Sequence, residues 1–253
     1  MKVSKIKMAV FGAFMLPLMP VIAAEEKSDF SISGNVGLFS DYIFRGYTQT
    51  NHQAALQGGF DLEHSSGFYA GVWGSNVKWT TQSDVMTDNS LELDFYSGYV
   101  TEFEGLGVDV GLLQYYYPGD YADGSKVDSE ATELYVGISK DVGPVSVGLT
   151  VYTVLTDEAW QFSDMKGEKY LTLDVDLPVN DKLTISGHLG HQTFGGTTDY
   201  DYTDWKANAE YTINETFAAG VYYSDTNMNQ TNWTVKNEFL GESTVGLYLA
   251  AGF

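Results

Sequence analysis

The chain contains no cysteine. Disulfide frameworks, thiolate metal centres and a lipid-bearing cysteine are excluded at once. Proline is scarce, five in 253 residues, so few positions are barred from a β-ladder. Positive charge is also in short supply: 13 Lys and Arg stand against 34 Asp and Glu, and Arg45 is the sole arginine. A balance that acidic argues against a nucleic-acid partner, because phosphate binding needs clustered cations. Beyond residue 24 no apolar run reaches the ~20 residues that a spanning helix requires. A chain of this kind can enter a bilayer only as a closed barrel, the other structure that pairs every backbone group in lipid.

What the chain has in quantity is aromatic residues and glycine: 18 Tyr, 14 Phe, 5 Trp and 27 Gly. That mixture suits a sheet in which rings pack and glycine permits bends and close backbone approach. Residues 1–24 read as a cleavable secretory signal. Lys2, Lys5 and Lys7 precede an apolar stretch, Met8 to Ile22, interrupted by Pro17 and Pro20, and Ala23-Ala24 end it just before Glu25 and Glu26. Residues 25–253 then form one domain. Its balance is more acidic still, since the leader removes three lysines and no acid.

From Phe30 onward the period is two. Ile32, Val36 and Leu38 alternate with Ser33, Asn35 and Gly37; Leu91, Leu93 and Phe95 alternate with Glu92, Asp94 and Tyr96; Val145, Val147, Leu149 and Val151 alternate with Ser146, Gly148, Thr150 and Tyr152. No helical period competes over a comparable length. The runs predict about twelve strands, at 29–44, 54–64, 67–79, 90–103, 108–117, 130–140, 145–155, 169–177, 182–192, 204–213, 216–225 and 243–253. Their connectors alternate long and short, with long ones near 45–53, 80–89, 118–129, 156–168, 193–203 and 226–242. Tight periplasmic turns and longer external loops make that pattern in outer-membrane barrels. The fold class predicted is thus all-β: a transmembrane, antiparallel, up-and-down β-barrel. Trp233 to Phe239 offers a thirteenth strand, which would put the two chain ends on opposite sides; 226–242 is read as a loop. Aromatics near strand ends, Tyr42, Phe44, Trp79, Tyr115 to Tyr117, Trp160, Tyr200, Tyr202 and Trp205, are expected to form interfacial girdles. The competing fold is a soluble β-sandwich or lipocalin-like barrel, which would turn the same apolar positions inward.

The last strand places Val245, Leu247, Leu249, Ala251 and Phe253 on one face. A terminal aromatic closing an alternating strand is similar to the signal read by the barrel-insertion machinery, so Phe253 is the candidate for that role. Ser40-Asp41-Tyr42-Ile43-Phe44-Arg45-Gly46, then Ala55 to Asp61 and Gly67 to Val77, resemble the TorF-like porins, first catalogued as a conserved proteobacterial domain of unknown function. Glu92 to Tyr99 and Tyr115-Tyr116-Tyr117-Pro118 fit the same pattern. The resemblance implies a porin and leaves its solute unnamed.

Parity assigns function residue by residue. With Leu, Val and Ile facing lipid, the opposite positions face a lumen: Asp61, Glu63, Glu92, Asp94, Asp109, Glu133, Asp174, Asp176 and Glu210, with Lys206 as cation. Crowded carboxylates enrich cations and repel anions. The expected function is passive diffusion of small hydrophilic solutes with a cation preference. Tyr96, Tyr135, Tyr152, Tyr170, Tyr222 and Tyr248 point the same way, as a path for polar solutes or as filling. Arg45 shares parity with Asp41 and is expected to pair with it at the barrel mouth. His188 and His191 fall on opposite strand faces and so do not share an ion. The acidic segments Asp120 to Asp128 and Asp199 to Asp204 lack EF-hand spacing. No cofactor or metal is expected, and no G-x-S-x-G occurs, although Ser186 and His188 share a face. Two other classes stay open, a closed structural or adhesive barrel and a barrel hydrolase. The expected partners are outer-membrane lipids, the insertion machinery and small hydrophilic solutes.

Overall fold

The computed structural model describes residues 28–253 apart from 126 and 197. The proposed leader, 1–24, lies outside the described residues. Twelve long strands follow one another: β1 Phe30–Phe39, β2 Ala55–His64, β3 Phe68–Asn76, β4 Leu91–Phe103, β5 Leu106–Tyr116, β6 Ala131–Val142, β7 Val145–Val154, β8 Lys169–Asn180, β9 Leu183–Gln192, β10 Tyr202–Thr212, β11 Phe217–Thr226 and β12 Thr244–Gly252. Each pairs antiparallel with the next, and β1 closes the ring onto β12 through a register running from Asn35↔Gly252 to Phe39↔Tyr248. Closure removes the unpaired edges that an open sheet would present.

Connectors alternate as expected. The short ones use the turn chemistry their residues favour. Glu104 and Gly105, at φ 51° and 76°, make a two-residue type I′ turn between β4 and β5. Gly143 at φ 65°, followed by Pro144, fits the mirror-image II′ turn before β7. Pro178 has no N–H to give the ladder, and there the β8–β9 register slips by one residue. Residues 227–242 add no strand to the ring; they carry a small hairpin, Thr234–Val235 with Glu238–Phe239, and pack the buried Trp233 against Tyr47 and Tyr202.

The outward face carries the apolar set. Ile32 and Val245 are each 70% exposed, and Leu56, Phe60, Leu134, Val136, Leu173 and Leu247 are exposed beside them. The inward face buries Gln57, Asp61, Glu92, Asp94, Glu133, Thr150, Thr172 and Asp204. Apolar outside and polar inside is the reverse of a water-soluble sandwich, and it suits a hydrocarbon solvent in which closed strands satisfy their own backbones.

Inside, tyrosine lies over glycine on the neighbouring strand. A Cβ at Gly111 would come within 2.3 Å of Tyr135 Oη, and one at Gly220 within 2.2 Å of the Tyr248 ring. Register sets those partners directly opposite each other, Gly111↔Tyr135 and Gly220↔Tyr248. At these positions glycine is the gap into which the inward ring folds.

Two sequence expectations are corrected. The first run ends at Phe39, not 44, because residues 40–54 turn into the barrel. The girdle assignment also fails for Tyr42, Phe44, Tyr115, Tyr117, Trp160 and Tyr202, all buried in the interior; Tyr116 and Trp205 do face outward. Parity decides this. Tyr115 and Tyr202 share the inward register of Glu133 and Asp204, and the other four lie on connectors that fold inward or at their junctions. An outward aromatic band exists at the short-turn end instead, with Phe30, Phe68, Tyr99, Phe103, Tyr211, Phe217 and Phe253 exposed.

Candidate functional site in the barrel interior

The first long connector, 40–54, forms a hairpin inside the barrel. Ile43–Phe44 pairs with Tyr47–Thr48, leaving Arg45 and Gly46 as a two-residue tip at φ 44° and 87°. Those angles are type I′ values. Gly46 is needed twice over: its φ disfavours side chains, and a Cβ would meet Asp204 Cβ at 2.4 Å and Thr226 Cγ2 at 2.5 Å. The tip thus touches the wall formed by β10 and β11.

The base of the hairpin is held by Asp41. Its carboxylate accepts from Thr48 Oγ1 at 2.7 Å, Thr50 Oγ1 at 2.9 Å and His52 Nδ1 at 2.8 Å. Tyr222 donates to the Asp41 carbonyl at 2.9 Å, which ties the base to β11. Tyr42 donates to Glu92 Oε1 at 2.8 Å across the barrel.

At the tip, Arg45 reaches the far wall. Its Nη2 lies 2.6 Å from Glu133 Oε2 on β6, and Nη1 donates to Gln192 Oε1 on β9 at 2.7 Å. The ring of Tyr170 on β8 lies 4.3 Å from the guanidinium carbon, with Tyr152 on β7 and Trp160 at 5.3 Å. The expected pair of Arg45 with Asp41 is not formed. The two residues sit at opposite ends of the hairpin, and Asp41 spends its oxygens on hydroxyls and on His52. Asp41 and Arg45 do share parity, but the turn at 40–42 breaks the strand on which parity would have had meaning. The Arg45 side chain is 6% exposed and that of Glu133 is fully buried.

The remaining predicted residues all take the inward register, some of them under tyrosine hydroxyls. Tyr96 donates to Asp61, Tyr69 to Asp109 at 2.6 Å, Tyr115 to Glu133 at 2.9 Å and Tyr248 to Glu210 at 2.9 Å. Asp94 is buried opposite Tyr115. Glu63 and Asp176 are only partly buried and lie toward the short-turn end, while Lys206, also partly buried, sits two residues along the same face from Asp204 with its ammonium 5.9 Å from the Tyr222 ring. Asp174 bonds His188 Nδ1 at 2.6 Å, and His188 Nε2 meets Tyr170 Oη at 2.9 Å and Asp204 Oδ1 at 3.2 Å. Both ring nitrogens of His188 are thus engaged by groups other than Ser186. His191, exposed on the outer face, bonds Thr203 instead.

Two members of this site escaped the sequence reading. Asp204 reads in sequence as part of an acidic loop, yet it is the third residue of β10 and shares the face of Lys206. Gln192 closes β9 on the face of His188. In both cases the signal was the parity already in use, extended two residues further.

His52 lies outside the strands, half-buried against Asp41. The hydrogen bond to Asp41 raises its pKa above 6.5, helped by the charges of Asp41, Glu242 and Glu238, while partial burial pulls the other way. A raised folded pKa means that the pairing stabilises the hairpin base fully below about 6.5 and weakens as pH rises through the folded value. Amide protection across 41–52, corrected for intrinsic exchange, is expected to fall as pH rises above about 6.5. His52→Gln should flatten that dependence. A wild-type profile already flat would remove His52 from the anchoring of the hairpin.

An apolar-outside, polar-inside closed barrel with an inserted loop defines a class: the transmembrane antiparallel β-barrels. Solved structures with this fold include the KdgM porin, at TM-score 0.57 and 9% identity over 87% of this chain and 98% of that one. The KdgM porin in complex with disordered oligogalacturonate matches at 0.56 and 9%, covering 88% and 97%. The NanC porin matches at 0.55 and 12%, covering 88% and 99%. The chain itself belongs to the Gcw_chp family, described as bacterial protein of unknown function, which matches residues 23–253. No curated protein matches it.

Proposed function

We propose that the protein is an outer-membrane porin of Gram-negative bacteria that passes small hydrophilic solutes and prefers cations. The observation that carries this reading is the inverted barrel, an apolar exterior around an interior lined by carboxylates. The resemblance of 40–77 to the TorF-like porins and the porin fold of the solved neighbours support it. Export follows from a cleaved leader at 1–24, and Phe253 presents the aromatic terminus to the insertion machinery.

Asp61, Glu63, Glu92, Asp94, Asp109, Glu133, Asp174, Asp176 and Glu210 outnumber Arg45 and Lys206 along the interior. Fixed negative charge with low-dielectric walls concentrates cations and repels anions. Oligogalacturonate, held by the KdgM porin, is a polyanion; this interior suits solutes of the opposite sign. The 40–54 hairpin narrows the path at the long-loop end, its tip against the β10–β11 wall, and solutes pass by its displacement.

Purified protein in a planar bilayer is expected to give discrete conductance steps. Under a potassium chloride gradient the reversal potential should take the cation-selective sign. The opposite sign would sink the selectivity. A folded, inserted protein without steps would favour the closed structural or adhesive barrel, or the barrel hydrolase.

A further inference from the structure

Arg45 sits in surroundings that recognise a positive charge. Tyr170, Tyr152 and Trp160 surround its guanidinium at 4.3, 5.3 and 5.3 Å, while Glu133 and Gln192 accept its terminal N–H groups. Aromatic faces with a carboxylate in reach of a planar fork are the arrangement that holds free organic cations. None of these five residues belongs to the hairpin. Glu133, Tyr152, Tyr170 and Gln192 come from four consecutive wall strands, and Trp160 from the connector between β7 and β8. The barrel thus supplies most of the cage, while the hairpin adds the Phe44 ring at 4.9 Å and the occupant, Arg45.

Two observations say that Arg45 fills it imperfectly. Arg45 occupies the first position of a type I′ turn at φ 44°, where asparagine or glycine is less strained. An arginine kept against the preference of its own turn serves through its side chain. In addition, Glu133 Oε1 and Trp160 Nε1 are buried without a hydrogen-bond partner in the protein. Arg45 approaches Glu133 through Oε2, so the second carboxylate oxygen and the indole N–H are left over.

We propose that this cage is a binding site for guanidinium-bearing solutes, and that Arg45 is an internal occupant which such a solute displaces. A solute free of the turn can lie square to Glu133 and use both carboxylate oxygens, which the tethered side chain does not. An alkylammonium of similar size lacks the planar fork and binds less well. Displacement of Arg45 frees the hairpin tip, so the site deepens the porin reading and rests on it for its consequence, although binding itself does not need transport.

The test uses Arg45→Asn, because Asn-Gly is the preferred type I′ pair and keeps the hairpin while removing the cation. Titration calorimetry of the full-length variant in detergent should show saturable binding of methylguanidine, at least roughly tenfold tighter than to the wild type. Methylamine should bind more weakly, and adding Glu133→Gln should abolish the gain. A folded variant that binds no methylguanidine, binds it no better than the wild type, or ignores Glu133→Gln would overturn the proposal. Should Arg45→Asn fold only in the presence of ligand, refolding in millimolar methylguanidine restores the heat-modifiable barrel and methylamine does not; failure of both restores nothing and overturns the site. Bilayer recordings keep the two readings apart. Binding without conductance supports the site and removes the porin; conductance without binding overturns the site alone.

Discussion

Excising Ile43–Thr48 and joining Tyr42 to Gln49 through two glycines is expected to raise single-channel conductance several-fold. The Gln49 N–H to Tyr42 carbonyl bond, 2.8 Å, closes the shortened loop, and Asp41 keeps Thr50 and His52 while losing Thr48. What is lost is the tip that spans the interior from the β1–β2 side to Glu133 and Gln192. A barrel of twelve strands lies between small barrels filled by side chains and wide porins with aqueous channels, so a single hairpin is enough to decide whether water fills it. Gly46→Val is a milder version of the same experiment. Its Cβ meets the β10–β11 wall, and its φ of 87° is costly for a β-branched residue, so the hairpin is pushed aside. If the excision leaves conductance unchanged in a correctly inserted barrel, the hairpin is not the constriction.

The second large effect is on stability. Glu133→Ala leaves the Arg45 guanidinium buried without its carboxylate, and removing one partner of a buried pair costs about 3–5 kcal/mol. Replacing both partners, Arg45→Met with Glu133→Leu, should recover most of the loss, because a packed apolar pair carries no desolvation cost. Urea unfolding in detergent, followed by the heat-modifiable band, measures both. A Glu133→Ala cost under about 1 kcal/mol, the worth of an exposed pair, would mean that water reaches Arg45 and that the interior there is open.

These expectations bear on the role of the interior in opposite ways. The stability experiment asks what holds the hairpin in, and the excision asks what happens when it is gone. A barrel that loses stability with Glu133→Ala and gains conductance on excision has a loop held in place by one buried ion pair in an aromatic cage.

The barrel itself was readable from residue order. Strand parity is a local property with a period of two, so Leu91-Glu92-Leu93-Asp94 assigns lipid and interior without knowledge of any neighbour. Connector lengths are equally local, and they fixed the strand count and the alternation of ends. Asp61, Glu92, Glu133 and Glu210 were placed inward for the same reason. What parity could not reach was every residue off the strands. Arg45 and Asp41 look like neighbours in sequence, yet the backbone turns at 40–42 and sends Arg45 across the barrel to Glu133, 88 positions away. Tyr42, Phe44 and Trp160 look like interfacial aromatics, because nothing local distinguishes a loop lying outward on lipid from one folded into a lumen. That choice depends on whether the opposite wall offers rings, a carboxylate and a glycine-sized gap. Only the closed ring of strands brings these together.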